Sequence, residues 1–343
     1  MDEYLESKSL DPISLDWPNT LEEKSPIPNF TFIVGNISEN KKLQGKTKRK
    51  PLNLTVLSAK LAGYKKGIFK TCQDEMLATS FGKEESFSVL FSIFDGHGPD
   101  GHLVAKLGRL VLPRMFQKMM NDISTKEKKL SEGIEKVFSQ LDELVKSQNE
   151  VMNVEMSGST LVTVLLTGGR VYCAWVGDSR AMVAYQIDRS CFYKTLSADH
   201  LPDLETERNR ILASGGIIHP SKDAAGNFYG PERVWNPKYS EHPAPGLMMS
   251  RSIGDFAGKE VGVSCRPDVI DIWHDPSLKF LVLASDGVWE VLSDVEVGEI
   301  VRQFLTSRDR IECARIVLEH ANHRWSFKSN SYRDDMSVIV VFF

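Results

Sequence analysis

Apolar residues along this chain occur in two kinds of pattern, and the first consists of short runs bounded by Gly, Pro or polar clusters. Such runs predict β-strands, because a strand buries a short continuous or alternating set of apolar side chains. The predicted strands cover residues 54–61, 76–81, 88–94, 160–166, 171–176, 180–186, 192–196, 246–250, 269–273, 279–285 and 336–343. Gly168 and Gly169 separate two of these runs and predict a hairpin turn.

The second pattern repeats apolar residues at helical spacing and predicts amphipathic helices. These cover residues 101–120, a stretch that carries apolar residues from Ile134 to Val145, and residues 204–213, 295–305 and 310–322. Pro113 predicts a kink in the first helix. Residues 217–246 contain five prolines and little periodicity, so a long loop is predicted there.

The order of these elements indicates the fold class. Strands follow one another in runs, and helices follow one another in pairs. A doubly wound parallel sheet would alternate strands and helices, so the order predicts an α+β protein built in layers.

The first fifty residues differ in composition from the rest of the chain. They contain four prolines, many polar residues and a basic run between Lys41 and Lys50. We therefore interpret residues 1–50 as a partly ordered extension and residues 51–343 as the folded domain. The basic run is compatible with a nuclear address, but a solvated linker is the preferred interpretation. Residues 45–47, Gly-Lys-Thr, resemble the end of a phosphate-binding loop but lack the earlier glycine and the strand that such a loop requires.

Composition excludes several classes of protein. The chain has 343 residues, 41% of them hydrophobic, and a formal net charge of -4. It can therefore bury a sizeable core. It lacks the positive electrostatic field expected of a nucleic-acid-binding protein, so no nucleic-acid partner is expected. Five widely spaced cysteines, with no Cys-x-x-Cys pair, favour reduced thiols in a cytosol-like compartment. No apolar run approaches the roughly 20 residues that span a bilayer, and the acidic start differs from a signal peptide, so a cytoplasmic location and no membrane contact are expected.

Acidic residues stand at the ends of three apolar strands. Asp95, Asp178 and Asp286 each close such a strand, and the pair Asp334-Asp335 precedes the last one. A carboxylate removed from water is costly unless it is paired or holds a metal, and antiparallel neighbours can bring these strand ends together. Carboxylate oxygens, with no Cys or His at ligand spacing, favour Mg2+ or Mn2+ over zinc. The pattern predicts a site for hard divalent cations at one end of a sheet.

Two other interpretations compete with this one. Residues 96–101 match the dinucleotide fingerprint Gly-x-Gly-x-x-Gly between a strand and a helix, but the following parallel strand with its ribose-binding acid is missing. A cysteine-nucleophile phosphatase is unsupported as well, because the spacing of Cys173 and Arg180 is one residue too long for Cys-x5-Arg.

Seven short motifs, in order along the chain, resemble those of the metal-dependent Ser/Thr protein phosphatases of the 2C type. They begin at Asp95 (DGHG), Gly158 (GST), Val176 (VGDSR), Ala198 (ADH), Ser250 (SRSIGD), Ala284 (ASDGVW) and Arg333 (RDDMS). The resemblance covers about residues 51–343. It implies a central β-sandwich of two antiparallel sheets flanked by α-helices on both outer faces, a four-layer α/β/β/α arrangement. A binuclear metal centre would lie at one end of the sandwich.

The resemblance also implies roles for individual residues. Asp95 would bridge two Mg2+ or Mn2+ ions, the Gly96 carbonyl would bind one of them, and Asp286 and Asp334 would complete the other. Water activated at this centre would attack phosphoserine or phosphothreonine directly, without a phosphoenzyme.

Further residues are assigned by the same resemblance. His97 would act as the general acid, Asp74 would orient the attacking water, and Asp178 and Glu290 would hold a weaker third ion. Supporting positions behind the centre are expected for Asp255, Asp335 and Thr160, and Asp199 and His200 are interpreted as structural or supporting residues.

The chain departs from the family pattern at several of these positions. Gln73 stands where a Glu is usual, Glu290 where an Asp is usual, and Asp335 where an Asn is usual. Either acid of the 334–335 pair could therefore be the ligand. Lys70 is the candidate phosphate clamp, with Lys65 and Lys66 as alternatives, and a lysine supplies a point charge where an arginine supplies a bidentate fork.

These observations predict a protein serine/threonine phosphatase that acts on phosphoproteins as a monomer. The alternative is a pseudophosphatase, a binding module with the same fold and no metal chemistry. The enzyme is preferred because Asp95, His97, Asp286 and Asp334 are all present.

Overall fold

The computed structural model describes residues 21–24, 30–38, 53–82, 87–122, 127–239, 244–307 and 309–343. The strands in these ranges are β1 (Leu21–Lys24), β2 (Phe30–Ser38), β3 (Asn53–Leu61), β4 (Tyr64–Lys65), β5 (Ile68–Phe69), β6 (Asp74–Phe81), β7 (Ser88–His97), β8 (Gly158–Ser159), β9 (Leu161–Thr167), β10 (Arg170–Val176), β11 (Arg180–Ile187), β12 (Ser190–Thr195), β13 (Ile217–Lys222), β14 (Phe228–Asn236), β15 (Ala244–Leu247), β16 (Ile253–Gly254), β17 (Asp268–Trp273), β18 (Leu278–Ala284), β19 (Tyr332–Arg333) and β20 (Met336–Phe342). The helices are α1 (Gly101–Asp122), α2 (Glu127–Lys146), α3 (Glu205–Ala213), α4 (Phe256–Lys259), α5 (Asp286–Trp289), α6 (Asp294–Arg302) and α7 (Cys313–Lys328).

Most of these strands belong to two large sheets. The first sheet has the order β1-β2-β3-β20-β18-β11-β12, and the second has the order β16-β8-β7-β9-β10-β17 with β6 beside β7. All pairings between these strands are antiparallel. The connections between neighbours are therefore short hairpins or returns over an end of the sheets.

The two sheets pack face to face. The core between them is built from inward-facing apolar residues of both sheets, among them Phe91, Val164 and Leu281. A second core lies between the second sheet and helices α1 and α2, and a third lies between the first sheet and helices α5, α6 and α7. This arrangement confirms the predicted four-layer α/β/β/α class. Helices cover the outer faces of both sheets because those faces are too apolar to remain in water.

Antiparallel pairing brings the acidic strand ends to one end of the sandwich. In the first sheet Ala284, at the end of β18, lies opposite Val338, near the start of β20. In the second sheet Asp95 of β7 lies directly opposite Asp74 of β6. The residues just beyond these positions, including Asp286 and Asp334, therefore meet at a common rim.

The predicted loop at residues 217–246 is wrong. Strands β13, β14 and β15 form a separate three-stranded sheet, called here the flap sheet, over its own small apolar cluster. The sequence pattern did not reveal this sheet, because its register shifts between Pro220 and Ser221 and again between Val234 and Trp235. These shifts remove the regular alternation of apolar and polar residues.

Two short strands beside the rim also escaped the sequence analysis. Strands β4 and β5 form a tight hairpin, and β19 pairs with β4 to complete a small sheet. Residues 63–70, which contain both strands of this hairpin, are called the rim hairpin below. Two-residue strands are too short to show periodicity.

The amino-terminal region contributes strands as well. β2 pairs with β3 along its whole length, from Phe30 opposite Leu61 to Ser38 opposite Asn53. The boundary between extension and domain near residue 50 stays a prediction, and the four early prolines, the basic run and the Gly-Lys-Thr segment lie outside the described residues. Among the described helices, none has the length and apolarity needed to cross a membrane.

Candidate active site

Asp95 lies near the end of β7, where the backbone of this strand is tied to the neighbouring strand. Its amide donates to Thr160 Oγ1 at 3.2 Å, and the Thr160 amide donates to the Asp95 carbonyl oxygen at 2.9 Å. The Thr160 hydroxyl also shares a 2.7 Å hydrogen bond with Ser179 Oγ, next to Asp178. Thr160 therefore fixes two acidic strand ends relative to each other.

Gly96 follows Asp95 in a place that admits no side chain. A Cβ atom there would lie 2.4 Å from the Gly101 carbonyl oxygen and 2.7 Å from the Gln73 carbonyl oxygen. Gln73 also braces the turn, because its Nε2 donates to the Gly98 carbonyl oxygen at 3.1 Å. The close approach of β7, α1 and the segment before β6 explains the glycine.

Asp74 lies fully buried between the two sheets. Its Oδ2 accepts hydrogen bonds from Ser285 Oγ at 2.9 Å and Ser337 Oγ at 2.6 Å, both from the first sheet side, while Oδ1 has no protein partner. Burial, followed by the negative charge of Asp335, raises the pKa of Asp74 to about 7. Its assignment as a water-orienting residue stays a prediction, and its contacts tie the sheets together at the rim.

The remaining carboxyl groups of the rim raise one another's pKa. Burial and then the charges of Asp74 and Asp286 raise the pKa of Asp95 well above its usual value. Burial and then the charges of Asp178 and Asp334 do the same for Asp286. Burial, with Asp199 as the next cause, raises the pKa of Asp178 to about 6. The rim carries more negative charge than its own side chains neutralise.

The two acids of the 334–335 pair have different surroundings. Asp335 is buried, and its carboxylate accepts the backbone amides of Gly63 at 2.5 Å and Gln73 at 3.0 Å. Asp334 instead accepts from Lys70 Nζ at 2.8 Å and from the Tyr332 hydroxyl at 2.5 Å. Both oxygens of each acid therefore accept hydrogen bonds, from backbone amides at Asp335 and mainly from side chains at Asp334, and the alternative left open by the sequence stays open.

Lys70 is the lysine that reaches this centre. Burial lowers its pKa, but the charges of Asp334 and Asp335 outweigh burial and the net shift of the Lys70 pKa is upward. Lys65 and Lys66, the alternatives from the sequence, are exposed at the far end of the rim hairpin.

His97 is held by a buried carboxylate. Its Nε2 lies 2.7 Å from Asp255 Oδ2, which also accepts from Ser252 Oγ at 2.5 Å, while His97 Nδ1 has no protein partner. Burial lowers the pKa of His97, but Asp255 outweighs burial and the net shift is upward. Asp255 has a left-handed backbone with φ of 54°, an uncommon conformation for a non-glycine residue that is kept here by its surroundings.

Glu290 forms an ion pair beside the centre, and its charge also contributes to the raised pKa of Asp286. Its side chain is exposed and pairs with Lys328 Nζ at 2.5 Å. Asp199 likewise pairs with Arg180, through contacts of 2.5 and 2.7 Å. The assignment of Asp178 and Glu290 to a third ion stays a prediction.

His200 behaves as a structural residue. Its Nδ1 accepts the Gly177 amide at 3.2 Å, so its Nε2 donates to Asp268 at 3.2 Å. Burial, with Arg251 as the next cause, lowers the pKa of His200, which favours the neutral ring.

The donor chemistry of the rim suits hard divalent cations. The available groups are carboxylate and backbone carbonyl oxygens, and Asp178 Oδ1 is buried without a partner. Within the described ranges, no three Asp, Glu, His or Cys side chains are already arranged as a complete metal-binding group. The fit therefore rests on the kind of donor and on the uncompensated negative charge.

Comparison with known proteins identifies the family. The family model described as protein phosphatase 2C matches residues 59–328 of this chain. The chain belongs to the protein phosphatase 2C family.

Individual relatives agree with this assignment. The chain is 32% identical over 296 residues to "Probable protein phosphatase 2C 73" of Arabidopsis thaliana, covering 81% of this chain and 76% of the relative. It is also 32% identical over 312 residues to "Probable protein phosphatase 2C 75" of Oryza sativa subsp. japonica, covering 79% of this chain and 69% of the relative. A crystal structure of serine-threonine phosphatase 2C from Toxoplasma gondii is similar in fold, with a TM-score of 0.70, 22% identity, and coverage of 91% and 99% of the two chains.

Membership of the protein phosphatase 2C family confirms the enzyme class expected from the motifs, a protein-serine/threonine phosphatase. The family is generally dependent on Mg2+ or Mn2+, in agreement with the oxygen donors at the rim. The dinucleotide interpretation of residues 96–101 is wrong, because α1 leads into α2 and β7 has only antiparallel neighbours among the described strands.

Several residues of this phosphatase 2C site were missed by the sequence analysis. Ser285 and Ser337 hold Asp74, Tyr332 holds Asp334, and Ser252 holds Asp255. Ser337 carried a usable signal, because a serine inside an otherwise apolar buried strand needs a hydrogen-bond partner.

Proposed function

We propose that this protein hydrolyses phosphoserine and phosphothreonine esters in proteins by direct attack of water at a two-metal centre. The observation that carries the proposal is the group of partly buried rim carboxylates whose pKa values are raised by burial and by one another's charge, beside a histidine with one free ring nitrogen.

Four residues are proposed as ligands. Asp95, the Gly96 carbonyl, Asp286 and Asp334 supply oxygen donors from β7, the start of α5 and the segment before β20. Two Mg2+ or Mn2+ ions bound there would supply Lewis-acid activation of water and neutralise charge on the phosphate. A third ion at Asp178 is a weaker proposal, since Glu290 pairs with Lys328.

His97 is proposed as the general acid. Asp255 accepts from Nε2, which leaves Nδ1 of the protonated ring to donate its proton to the departing serine or threonine oxygen. After the transfer, the neutral ring keeps its Nε2 proton and its hydrogen bond to Asp255. The carboxylate thereby sets both the orientation and the tautomer of the histidine.

Lys70 is proposed to bind the substrate phosphate. Its ammonium group already lies 2.8 Å from Asp334, so it can turn between the carboxylate and a phosphate oxygen over a short distance. A flexible lysine can serve both because it acts as a point charge. Monomeric state and cytoplasmic location stay predictions from the sequence.

The test uses two substrates of different leaving groups with the full chain. Mn2+ should support hydrolysis of a phosphothreonine peptide, and EDTA should abolish it. His97→Ala should reduce peptide hydrolysis by about 100-fold or more but p-nitrophenyl phosphate hydrolysis only slightly, because nitrophenolate leaves without protonation.

Two results would contradict the proposal. Activity that is unchanged by EDTA would exclude the metal centre, and equal losses on both substrates would exclude His97 as the general acid. An inactive protein that still binds the phosphopeptide would favour the pseudophosphatase alternative.

A further inference from the structure

The rim hairpin has a rigid, unusual turn. Lys66 and Gly67 join β4 to β5 with φ values of 53° and 79°, so both central residues have the left-handed backbone of a type I′ turn. A lysine is uncommon in that conformation, and its amide is held by the Ser331 carbonyl oxygen at 2.6 Å. This hydrogen bond ties the tip of the hairpin to the segment before β19.

The surface of the rim hairpin combines apolar and basic side chains. Ile68 is 73% exposed and Phe69 is 48% exposed, although both belong to a strand. Lys65 and Lys66 are also exposed, and no ion pair joins either of them to another residue in the described part of the chain. Exposed apolar side chains beside unpaired charges of one sign are typical of interaction surfaces.

The rim hairpin is joined directly to the candidate active site. Its base is closed by the Lys70 amide, which donates to the Gly63 carbonyl oxygen at 2.9 Å, and the Lys70 ammonium reaches Asp334. Its other side pairs with β19, where Lys65 lies opposite Tyr332. A ligand held on the rim hairpin therefore lies against the segment that carries a proposed metal ligand.

We propose that the rim hairpin docks the segment of the phosphoprotein substrate that flanks the phosphorylated residue. The inference rests on the proposed phosphatase function and adds a substrate preference to it. The lysines at the tip match acidic side chains, and Ile68 with Phe69 matches an apolar side chain of the same segment. Charge complementarity of this kind selects partners even where each pair contributes little affinity.

The geometry sets the position of the preferred acid. Lys65 lies opposite Ile68, two residues from Lys70, and Lys66 follows in the turn, so the basic tip lies about 7 to 10 Å along the hairpin from Lys70 at about 3.3 Å per residue. An extended substrate covers the same distance in about two to three residues. The acidic preference is therefore expected about two to four positions from the phosphorylated residue.

The experiment compares phosphothreonine peptides that carry Glu, Ala or Lys at those positions, on either side of the phosphothreonine. With the full chain and Mn2+, the Glu peptides should exceed the Lys peptides in kcat/KM by roughly threefold to tenfold, mainly through KM. Lys65→Glu should reverse the order of the Glu and Lys peptides. Ile68→Ser should weaken all peptides that carry a leucine beside the acid.

A matched control is available on the hairpin that joins β11 to β12 in the first sheet. Arg189→Glu and Ile187→Ser change an exposed basic and an exposed apolar residue beside Asp188, which also has a positive φ of 55°. They lie at the end of β11 opposite to Arg180, so they should leave peptide selectivity unchanged.

Two further measurements separate the outcomes. Hydrolysis of p-nitrophenyl phosphate, which has no flanking residues, should be the same in Ile68→Ser and in the wild type. Absence of this activity in the wild type would count against the phosphatase function and not against docking. Affinity for a phosphonate analogue of the Glu peptide, measured by fluorescence anisotropy, tests docking without turnover.

The proposal would be overturned if Lys65→Glu and Ile68→Ser left peptide selectivity and phosphonate affinity unchanged, or if the control variants changed them equally. It would also be overturned if the hairpin variants lost binding to vesicles of anionic lipid while peptide selectivity stayed the same, because the hairpin would then be a membrane-binding element.

Discussion

Two groups of carboxylates in this protein show pKa shifts in opposite directions. The rim carboxylates, defined as Asp95, Asp178, Asp286 and Asp334, include three whose pKa is raised. Glu207 in α3 is 2% exposed, yet its pKa is lowered to about 2. Burial alone raises the pKa of a carboxyl group in both places, so the neighbours decide the direction.

The neighbours of Glu207 are donors and cations. Its carboxylate accepts from Arg210 at 2.7 Å, Arg251 at 2.7 Å and Ser250 Oγ at 2.6 Å. The rim carboxylates face mainly one another, with Lys70 beside Asp334. The chain's own arginines neutralise the charge of Glu207, whereas the negative charge of the rim is neutralised only when positive charge is added.

The largest expected effect concerns activity at the rim. Asp95→Asn and Asp286→Asn should each lower kcat by about 1,000-fold or more, equivalent to about 4 kcal/mol of barrier, because each removes a charged oxygen donor from the proposed metal centre. The measurement is phosphopeptide hydrolysis with saturating Mn2+. Asp188→Asn, an exposed position that tolerates asparagine at positive φ, serves as the control and should keep full activity.

The next largest effect concerns stability at the Glu207 cluster. Glu207→Gln should lower the free energy of unfolding by about 3 to 5 kcal/mol, because it leaves two arginines without their buried partner. Glu299→Gln, which breaks an ion pair with Arg302 that is 47% exposed on both sides, should cost less than about 1 kcal/mol in the same urea titration.

The same variant has a defined pH dependence. Folding lowers the pKa of Glu207 from 4.5 to about 2. The contribution of its carboxylate to the stability of the protein is therefore fully present above pH 4.5 and is lost as the pH falls towards about 2. The difference in stability between wild type and Glu207→Gln should therefore shrink as pH falls from 5 to 3. A difference that grew over this range would contradict the assignment of Glu207 as an ionised partner.

Metal addition should stabilise one region only. Mn2+ at 100 times its dissociation constant should raise the free energy of unfolding of the wild type by about 2.7 kcal/mol. Asp95→Asn should lose most of this increase, while Glu207→Gln should keep it. A thermal shift measured with and without EDTA checks the prediction without relying on activity, and equal shifts in both variants would argue against metal binding at the rim.

The smallest effect has the opposite sign from Glu207→Gln. Asp178→Asn should raise the stability of the metal-free protein at pH 8 by about 1 to 2 kcal/mol, because it removes a buried like charge from the rim. Urea unfolding in EDTA measures this change. Destabilisation by Asp178→Asn would show that the charge at this position is compensated in the folded protein.

Local sequence was enough for most of the architecture. Most longer strands of the two large sheets and the longer helices were predicted near their observed positions, since their periodicity depends on residues a few positions apart. The nine-residue strand β2 was not predicted, because residues 1–50 were interpreted as an extension. The flap sheet and the rim hairpin were not predicted, because bulges, prolines and two-residue strands remove that periodicity.

The candidate site divides in the same way. The sequence shows that three apolar strands end in acids, at Asp95, Asp178 and Asp286. It also shows the order of the family motifs. The partners of each acid are not visible, because they come from distant parts of the chain. Asp335 meets Gly63 across 272 positions, and His97 meets Asp255 across 158 positions.

The sequence by itself therefore determined the layered fold class and the family, and it predicted the kind of ligand that the rim can hold, because apolar periodicity and residue chemistry are local properties. Only the tertiary structure decided that Asp334 faces the rim while Asp335 binds backbone amides, and that Glu290 pairs with Lys328. The physical reason is that the pKa and the role of a buried charge depend on its nearest neighbours in space, and folding alone selects those neighbours.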